Sequence, residues 1–327
     1  MKVLVSGYYG FGNLGDEALL AGMLTGLQGR TVTVLSQNPD ATRALHSVGA
    51  AHRLRGLAAL LNHDALISGG GGLLQDKTSS RSLRYYLSVI ALAKRLGKRT
   101  VVYAQSVGPL SPAGERAVAR TLRGVPVAVR DRPSQALLER LDIAAELVAD
   151  SALLLPQPML ATTENPAPVL LVPRGGYPVV TTALAQLAAR LEAEGVAVAG
   201  LALQPGEDGA PLEQLRRAAP TLVKITAETP QAALEGIAGS RHVVSARLHG
   251  LILAARAGVP FSGVAYDPKV AAFLTETGAP VHPVPPDPEA LWLEVCNPVF
   301  NTEKIATLTT RAQNGRLWLQ DVLAMRA

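Results

Sequence analysis

Lys2-Val3-Leu4-Val5-Ser6-Gly7-Tyr8-Tyr9-Gly10-Phe11-Gly12-Asn13-Leu14-Gly15-Asp16-Glu17 opens the chain and decides its fold class. The apolar run Val3–Ser6 reads as a buried strand, the glycines as a turn, and the acidic pair as the first turn of a helix. A strand feeding a helix through glycines begins a βαβ unit. The alternation then continues. Strands are expected at Val3–Ser6, Thr31–Leu35, Ala65–Ser68, Thr100–Ala104, Pro126–Val129 and Glu146–Ala149. A second series covers Val169–Val172, Ala197–Leu203, Leu222–Ile225, His242–Ser245, Phe261–Ala265 and Val281–Pro283. Amphipathic segments lie between them, among them Ser82–Leu96, Ala113–Leu122, Val180–Glu192 and Leu248–Ala257. The expectation is α/β: two doubly wound, Rossmann-like domains facing a cleft.

The two series are separated by the Pro-rich stretch from Pro156 to Pro168, which has no periodicity and reads as a linker. The expected domains are residues 1–160 and 161–301, with the helical stretch 302–327 able to pack back on the first. A length of 327 residues suits two domains at roughly 150 residues each.

Gly10, Gly12 and Gly15 satisfy G-x-G-x-x-G between a strand and a helix, the pattern of a dinucleotide site. Two features oppose that reading. The second strand ends in Ser36-Gln37-Asn38, without an acidic residue for a ribose. Asp16 and Glu17 stand where a pyrophosphate would dock and would repel it. The glycines instead allow close backbone approach, and Asn13, Asp16 and Glu17 offer acceptors to a hydroxyl-rich ligand. Asp16 could also deprotonate a hydroxyl. Alternatively, Asp16 and Glu17 only cap the helix.

Ligands of such sheets bind beyond the carboxyl ends of the strands. Ser68-Gly69-Gly70-Gly71-Gly72 is expected to be one such loop. Gln105 with Ser106, and Arg130 with Arg132, occupy two more, although ion-paired roles for the arginines are equally open. In the second half Arg174 follows a strand, and Lys269 follows Tyr266-Asp267-Pro268. Ser245-Ala246-Arg247-Leu248-His249-Gly250 joins a strand to a helix start. There Arg247 supplies a fixed cation, His249 a group able to donate or accept a proton, and the helix its free N–H groups. Together they read as an anion site with an acid beside it.

Composition narrows the partners. The net charge is +5, yet residues 1–160 carry +7 and residues 161–327 carry −2. Aromatic residues are 4%, with no basic run interleaved with aromatics, so nucleic acid is not an expected partner. The single cysteine, Cys296, excludes an internal disulfide and a Cys-based zinc site, and it reads as a small core residue. No His/Asp/Glu cluster has metal-ligand spacing, so no metal is expected. Met1 runs straight into a strand and no apolar run spans a bilayer, which predicts a cytoplasmic protein.

The Gly7–Glu17 segment, Gln105-Ser106-Val107-Gly108-Pro109, Arg130-Asp131, Arg247-Leu248-His249, Gly258-Val259-Pro260 and Tyr266-Asp267-Pro268-Lys269 occur in that order. So arranged, the chain resembles the bacterial polysaccharide pyruvyl transferases of the CsaB type over nearly its whole length. The resemblance implies a GT-B-like fold and no cofactor. It implies transfer of pyruvate from phosphoenolpyruvate onto two hydroxyls of one sugar, giving a cyclic ketal and phosphate. The implied acceptor is a lipid-linked sugar containing N-acetylmannosamine, made for a secondary cell wall polymer that anchors S-layer proteins. Such an acceptor would bring the enzyme to the inner face of the membrane. The resemblance assigns phosphoenolpyruvate to Arg247, Leu248 and His249, and to an arginine early in the second domain, for which Arg174 is the candidate. Gly175-Gly176-Tyr177 departs there from an aromatic-rich pattern.

The chemistry agrees. A carboxylate and a phosphate call for Arg174, Arg247, Lys269 and a helix N-terminus. Protonation of the vinyl carbon calls for an acid, His249, and the attacking hydroxyls for a base, for which Asp16 stands as candidate. Asn13, Glu17, Gln105, Arg130 and Arg132 complete the expected acceptor side. A glycosyltransferase using a nucleotide sugar, or a non-catalytic sugar-phosphate binder, would also fit the anion site.

Overall fold

The computed structural model describes residues 1–77, 79–158 and 167–325. The chain forms two compact units. The first contains Met1–Phe11, Leu19–Leu154 and Thr309–Ala327; the second contains Gly12–Ala18 and Leu155–Leu308. Two pieces, Gly12–Ala18 and Thr309–Ala327, thus depart from a division by sequence order. Most of the expected linker, residues 159–166, lies outside the described residues.

The first unit holds seven strands: β1 Lys2–Tyr9, β2 Thr31–Ser36, β3 Gly49–His52, β4 Ala65–Leu74, β5 Arg99–Val107, β6 Val127–Val129 and β7 Glu146–Leu147. All pair in parallel, in the order β3-β2-β1-β4-β5-β6-β7. The order reverses between β1 and β4, the switch point where such sheets bind ligands. Alternate residues feed opposite faces. Leu4, Leu66 and Val102 enter one core, while Val3, Val5, Ile67 and Tyr103 enter the other. Both faces are covered, as a parallel sheet requires. Part of the second cover is the last helix, Thr302–Ala324, whose Leu319, Val322 and Leu323 join that core.

Two expectations about this sheet are corrected. Gly49–His52 forms a strand that its weak β-propensity hid. The glycines after Ser68 continue β4 instead of forming a loop. Gly70 and Gly71 have φ of +61° and +84°, accessible at low cost only to glycine, and they put an irregularity in the β4–β5 register.

The second unit repeats the plan with β8 Val169–Val172, β9 Val198–Leu201, β10 Val223–Ile225, β11 His242–Ser245, β12 Phe261–Val264 and β13 Val281–His282. Their order is β10-β9-β8-β11-β12-β13, with a switch point between β8 and β11. Cys296 ends the helix Pro288–Cys296 and is exposed, because Leu291 and Val295 take that helix's inward positions. The core reading of this residue is thereby corrected.

Candidate functional site

The second switch point gathers most of the charged candidates. Val172 of β8 lies opposite Ser245 of β11. Arg174 and Arg247 each stand two residues beyond that pair, so the register sets them side by side at the strand ends. The Ser245 hydroxyl accepts from the Arg247 N–H at 3.0 Å and donates to the Arg247 carbonyl at 2.7 Å. This closes a turn before the helix Leu248–Ala257. Gly250 permits it, since a Cβ there would lie 2.3 Å from the Ser245 hydroxyl oxygen.

Arg247 is buried, and its guanidinium is already engaged. Nε donates to both oxygens of Asp208, Nη1 to Gln204 at 3.1 Å, and Nη2 to Asp208 and to Glu207 at 3.0 Å. Desolvation alone would lower the Arg247 pKa. The hydrogen bonds and charges of Asp208 and Glu207 together outweigh it and raise the pKa. Asp208 has no exposed surface. It also accepts from the backbone N–H groups of Gln204 at 2.9 Å and Gly175 at 3.1 Å. One carboxylate therefore ties together the segments after β8, β9 and β11. Sequence reading missed it, because Gln204-Pro205-Gly206-Glu207-Asp208 looks like an ordinary acidic helix start.

Arg174 is held differently. Its guanidinium lies 4.6 Å from the Tyr266 ring centroid and 5.7 Å from that of Tyr177. These two rings are themselves 4.8 Å apart. Among the described residues no carboxylate pairs with Arg174, and its buried Nε has no hydrogen-bond partner. Ring faces hold the cation without neutralising it. Burial raises the Tyr266 pKa, so its ring stays a neutral phenol near pH 7. Tyr177 and Tyr266 supply the aromatic character that Gly175-Gly176 seemed to lack.

Leu248 is buried, so its side chain cannot meet a ligand; its place on the helix's first turn leaves only its backbone for that role. Lys269 is partly exposed, with Nζ 3.7 Å from an Asp267 oxygen. Asp267 also accepts from the Lys269 N–H and so caps the helix Pro268–Thr277.

His249 is half-buried against the segment Gly12–Ala18 of the same unit. A Cβ on Gly15 would sit 2.1 Å from His249 Nδ1 and 2.5 Å from its Cβ. The third glycine of the apparent dinucleotide pattern is therefore needed for an imidazole. Asn13 caps this helix start, its side-chain oxygen accepting from the Gly15 N–H at 3.0 Å. The Leu14 N–H donates to the Leu203 carbonyl at 2.9 Å. Asp16 is partly exposed beside Gly15, whereas Glu17 is buried.

In the first unit, two acceptor-side expectations change. Gln105 is fully buried and donates to Ser68 at 2.9 Å. Arg130 is buried, bonded to Asp150 at 2.6 Å and to Ser106 at 2.8 Å. Both side chains are turned inward: Arg130 is held by Asp150 and Ser106, whereas Gln105 bonds only through its amide N–H and its Oε1 is buried without a partner. Arg132 is exposed at the start of the helix Arg132–Arg140, which Asp131 caps. An unforeseen cluster stands partly exposed at the ends of β1 and β3. Tyr8 and Phe11 stack at 4.0 Å, with Arg53 5.7 Å from Phe11 and 5.9 Å from Tyr85. Arg53 Nε also donates to Gln37 at 2.7 Å.

Comparison with known proteins places this geometry. The profile of the family described as polysaccharide pyruvyl transferase matches residues 13–268. No curated protein matches the chain. Among solved structures, the chain is similar to Anabaena Alr3699/HepE in complex with UDP-glucose, at 15% identity and a TM-score of 0.59, covering 99% of this chain and 96% of that one. It is also similar to the UDP-GlcNAc 2-epimerase of Neisseria meningitidis bound to UDP-GlcNAc, at 12% identity and 0.60, covering 99% of each chain. MurG of Acinetobacter baumannii matches at 14% identity and 0.55, covering 99% of this chain and 100% of that one. These likenesses show the fold: two Rossmann-like units of the GT-B type.

Proposed function

The chain belongs to the polysaccharide pyruvyl transferase family, and from that premise we propose that it moves pyruvate from phosphoenolpyruvate onto two hydroxyls of one sugar, releasing phosphate. The observation that carries the reading is Arg174, a cation held by two rings and matched by no carboxylate among the described residues, beside a helix start bearing His249. A small dianion or trianion suits such a place.

In this reading Arg174, Lys269 and the helix N–H groups bind phosphate and carboxylate. Arg247, already committed to Asp208, positions the turn and offers the remaining N–H of its Nη1 and, once the half-exposed Glu207 carboxylate yields, an N–H of its Nη2. His249 delivers a proton to the vinyl carbon, which makes C2 an oxocarbenium-like electrophile. One sugar hydroxyl then bonds to C2, the C2–O bond to phosphate breaks to leave a second oxocarbenium-like C2, and the second hydroxyl bonds there; one hydroxyl proton passes to a base and the other to the departing phosphate. Asp16 is the base we assign, by its place beside Gly15 and His249. Tyr8, Phe11 and Arg53 replace Gln105 and Arg130 as acceptor-side candidates, since rings and a guanidinium suit a sugar face and an anionic substituent. Following the family resemblance, the acceptor is a lipid-linked, N-acetylmannosamine-containing sugar at the inner face of the membrane, built for an S-layer-anchoring cell wall polymer.

A second reading, transfer from a nucleotide sugar, draws on the UDP-sugar complexes among the structural neighbours. Against it, the carboxylate after β12 is occupied: Asp267 caps a helix and faces Lys269. One incubation decides. With phosphoenolpyruvate and a lipid-linked disaccharide, phosphorus NMR should show released phosphate and the acceptor should gain the mass of one ketal-linked pyruvate. Turnover of UDP-glucose or UDP-GlcNAc alone would overturn the proposal.

A further inference from the structure

We propose that the segment His52–Leu61, with the adjoining basic face of the first unit, is a docking surface for an anionic lipid bilayer. The segment is a short 3-10 turn, Arg53–Arg55, running into the helix Gly56–Leu61. Leu60 is its inward anchor, buried in the core beside Leu35. Leu54, Leu57 and Leu61 point the other way and are 76%, 55% and 58% exposed. Three such leucines within eight residues form an apolar row on one side of a surface element, where polar residues would normally stand.

The surroundings are basic. No acidic residue occurs from 41 to 63 or from 77 to 114, while those stretches hold ten Lys and Arg: Arg43, Arg53, Arg55, Lys77, Arg81, Arg84, Lys94, Arg95, Lys98 and Arg99. Lys98 Nζ donates to the Leu61 carbonyl at 3.4 Å, setting an ammonium at the end of the leucine row. Tyr85 of the helix Ser80–Arg95 donates to the Arg53 carbonyl at 3.3 Å, which brings that helix alongside. Exposed leucines flanked by Arg53, Arg55 and Lys98 match an interface whose surface is anionic and whose interior is apolar. The contact is superficial: among the described residues no helix is long and apolar enough to cross a membrane.

The surface adjoins the ligand end of its sheet through Arg53. Arg53 carries Leu54 and Arg55 on one side and packs over Phe11 and Tyr85 on the other. A lipid-borne sugar would thus meet the Tyr8–Phe11 rings close to the bilayer. That clause alone rests on the proposed function; lipid docking itself does not.

The test uses the full chain and vesicles, without donor or acceptor. Wild type should co-sediment with vesicles of equal parts phosphatidylcholine and phosphatidylglycerol, bind pure phosphatidylcholine less, and be released by salt. L54S/L57S/L61S should retain the wild-type melting temperature and lose at least tenfold in partitioning. Arg55→Glu should weaken binding to the anionic vesicles only. Failure of wild type to bind, or equal binding by the triple variant, overturns the proposal. So does a wild-type dimer by light scattering that becomes monomeric in the triple variant without any vesicle binding. Because no pyruvyl transfer is measured, a negative result leaves the enzymatic reading standing, and the converse holds.

Discussion

Each unit buries an arginine–aspartate pair just past its strand ends, and the two pairs differ in what they leave over. In the first unit Arg130 meets Asp150, both nearly inaccessible, and its Nε goes to Ser106. The charges cancel and nothing faces outward. In the second unit Arg247 meets the fully buried Asp208, but a second carboxylate, that of Glu207, also reaches its Nη2 and is half-exposed. A rigid cation beside a displaceable carboxylate can exchange partners; a closed pair cannot. Buried pairs are poor sources of stability, since desolvation offsets most of their attraction. A pair that also serves a ligand has a second reason to exist. Net charge would have pointed the other way, because the first 160 residues carry +7 and the remainder −2. The donor site proposed here lies in the acidic half and depends on a few placed groups.

The strongest way to break this comparison is to replace both pairs with apolar residues. Arg247→Met with Asp208→Leu should lower kcat/KM for phosphoenolpyruvate by at least ~100-fold, or about 2.7 kcal/mol of transition-state stabilisation. Arg130→Met with Asp150→Leu should stay within about threefold of wild type, as buried pairs often tolerate apolar replacement. Asp208→Ala alone should cost about 3–5 kcal/mol in urea denaturation, because it strands a buried guanidinium. Equal activity losses in the two double variants would refute the contrast.

Acid should expose a second difference, this time in stability. His242 of β11 is buried, with a ring nitrogen 3.1 Å from the Ser262 hydroxyl, and burial lowers its pKa to about 4. The folded state therefore resists protonation, while the unfolded chain takes up the proton near the ordinary value of 6.5. Stability is complete above about 6.5 and declines as pH falls towards about 4, by roughly 3 kcal/mol at 1.36 kcal/mol per unit. His282 of β13 is shifted the same way, chiefly by burial, and adds to the slope. Urea midpoints measured from pH 7 to pH 4 should show this decline, and His242→Gln should remove most of it. A slope unchanged in that variant would place the acid-sensitive groups elsewhere.

What the sequence yielded follows from what is local. Strands such as Val169–Val172 and His242–Ser245 were legible because their apolar runs are bounded by turn residues, and both have the expected ends. The strand Gly49–His52 was not, since Gly49-Ala50-Ala51 carries no β-branched residue. Among the site residues, Arg174 and His249 were found because each follows a recognisable strand. Asp208 could not be, because its meaning comes from Arg247, 39 residues away. Arg130 was left between a cleft role and an ion-paired one for the same reason, since the partner that decides for the pair lies 20 residues on.

Gly15 provides a sharper test. Its place in G-x-G-x-x-G matches a dinucleotide pattern that Asp16 and Glu17 already opposed, and the space it leaves is filled by His249. Gly15→Ala should displace the imidazole and lower kcat about tenfold, with a smaller change in KM. Gly12→Ala is the control. No atom lies within 4 Å of its added Cβ, so the effect should be only the roughly 1–2 kcal/mol cost of its left-handed φ of +71°. If Gly12→Ala impaired kcat as much as Gly15→Ala, loop geometry and not the histidine contact would set the rate.

The smallest expected effect concerns Glu207 itself. Its carboxylate lies 3.0 Å from Arg247 Nη2, as the carboxylate of an incoming donor would, yet half of its surface is exposed. A donor using that nitrogen must first displace it, so Glu207 competes with the substrate it helps to position. Glu207→Gln keeps the shape and a hydrogen-bond acceptor while removing the charge. It should lower KM for phosphoenolpyruvate by about three- to tenfold, or roughly 0.6–1.4 kcal/mol, and leave kcat unchanged. Asp208 remains to hold Arg247, so the fold should not suffer. An increase in KM would mean that Glu207 orients Arg247 and does not screen it, and both carboxylates of the cluster would then be structural.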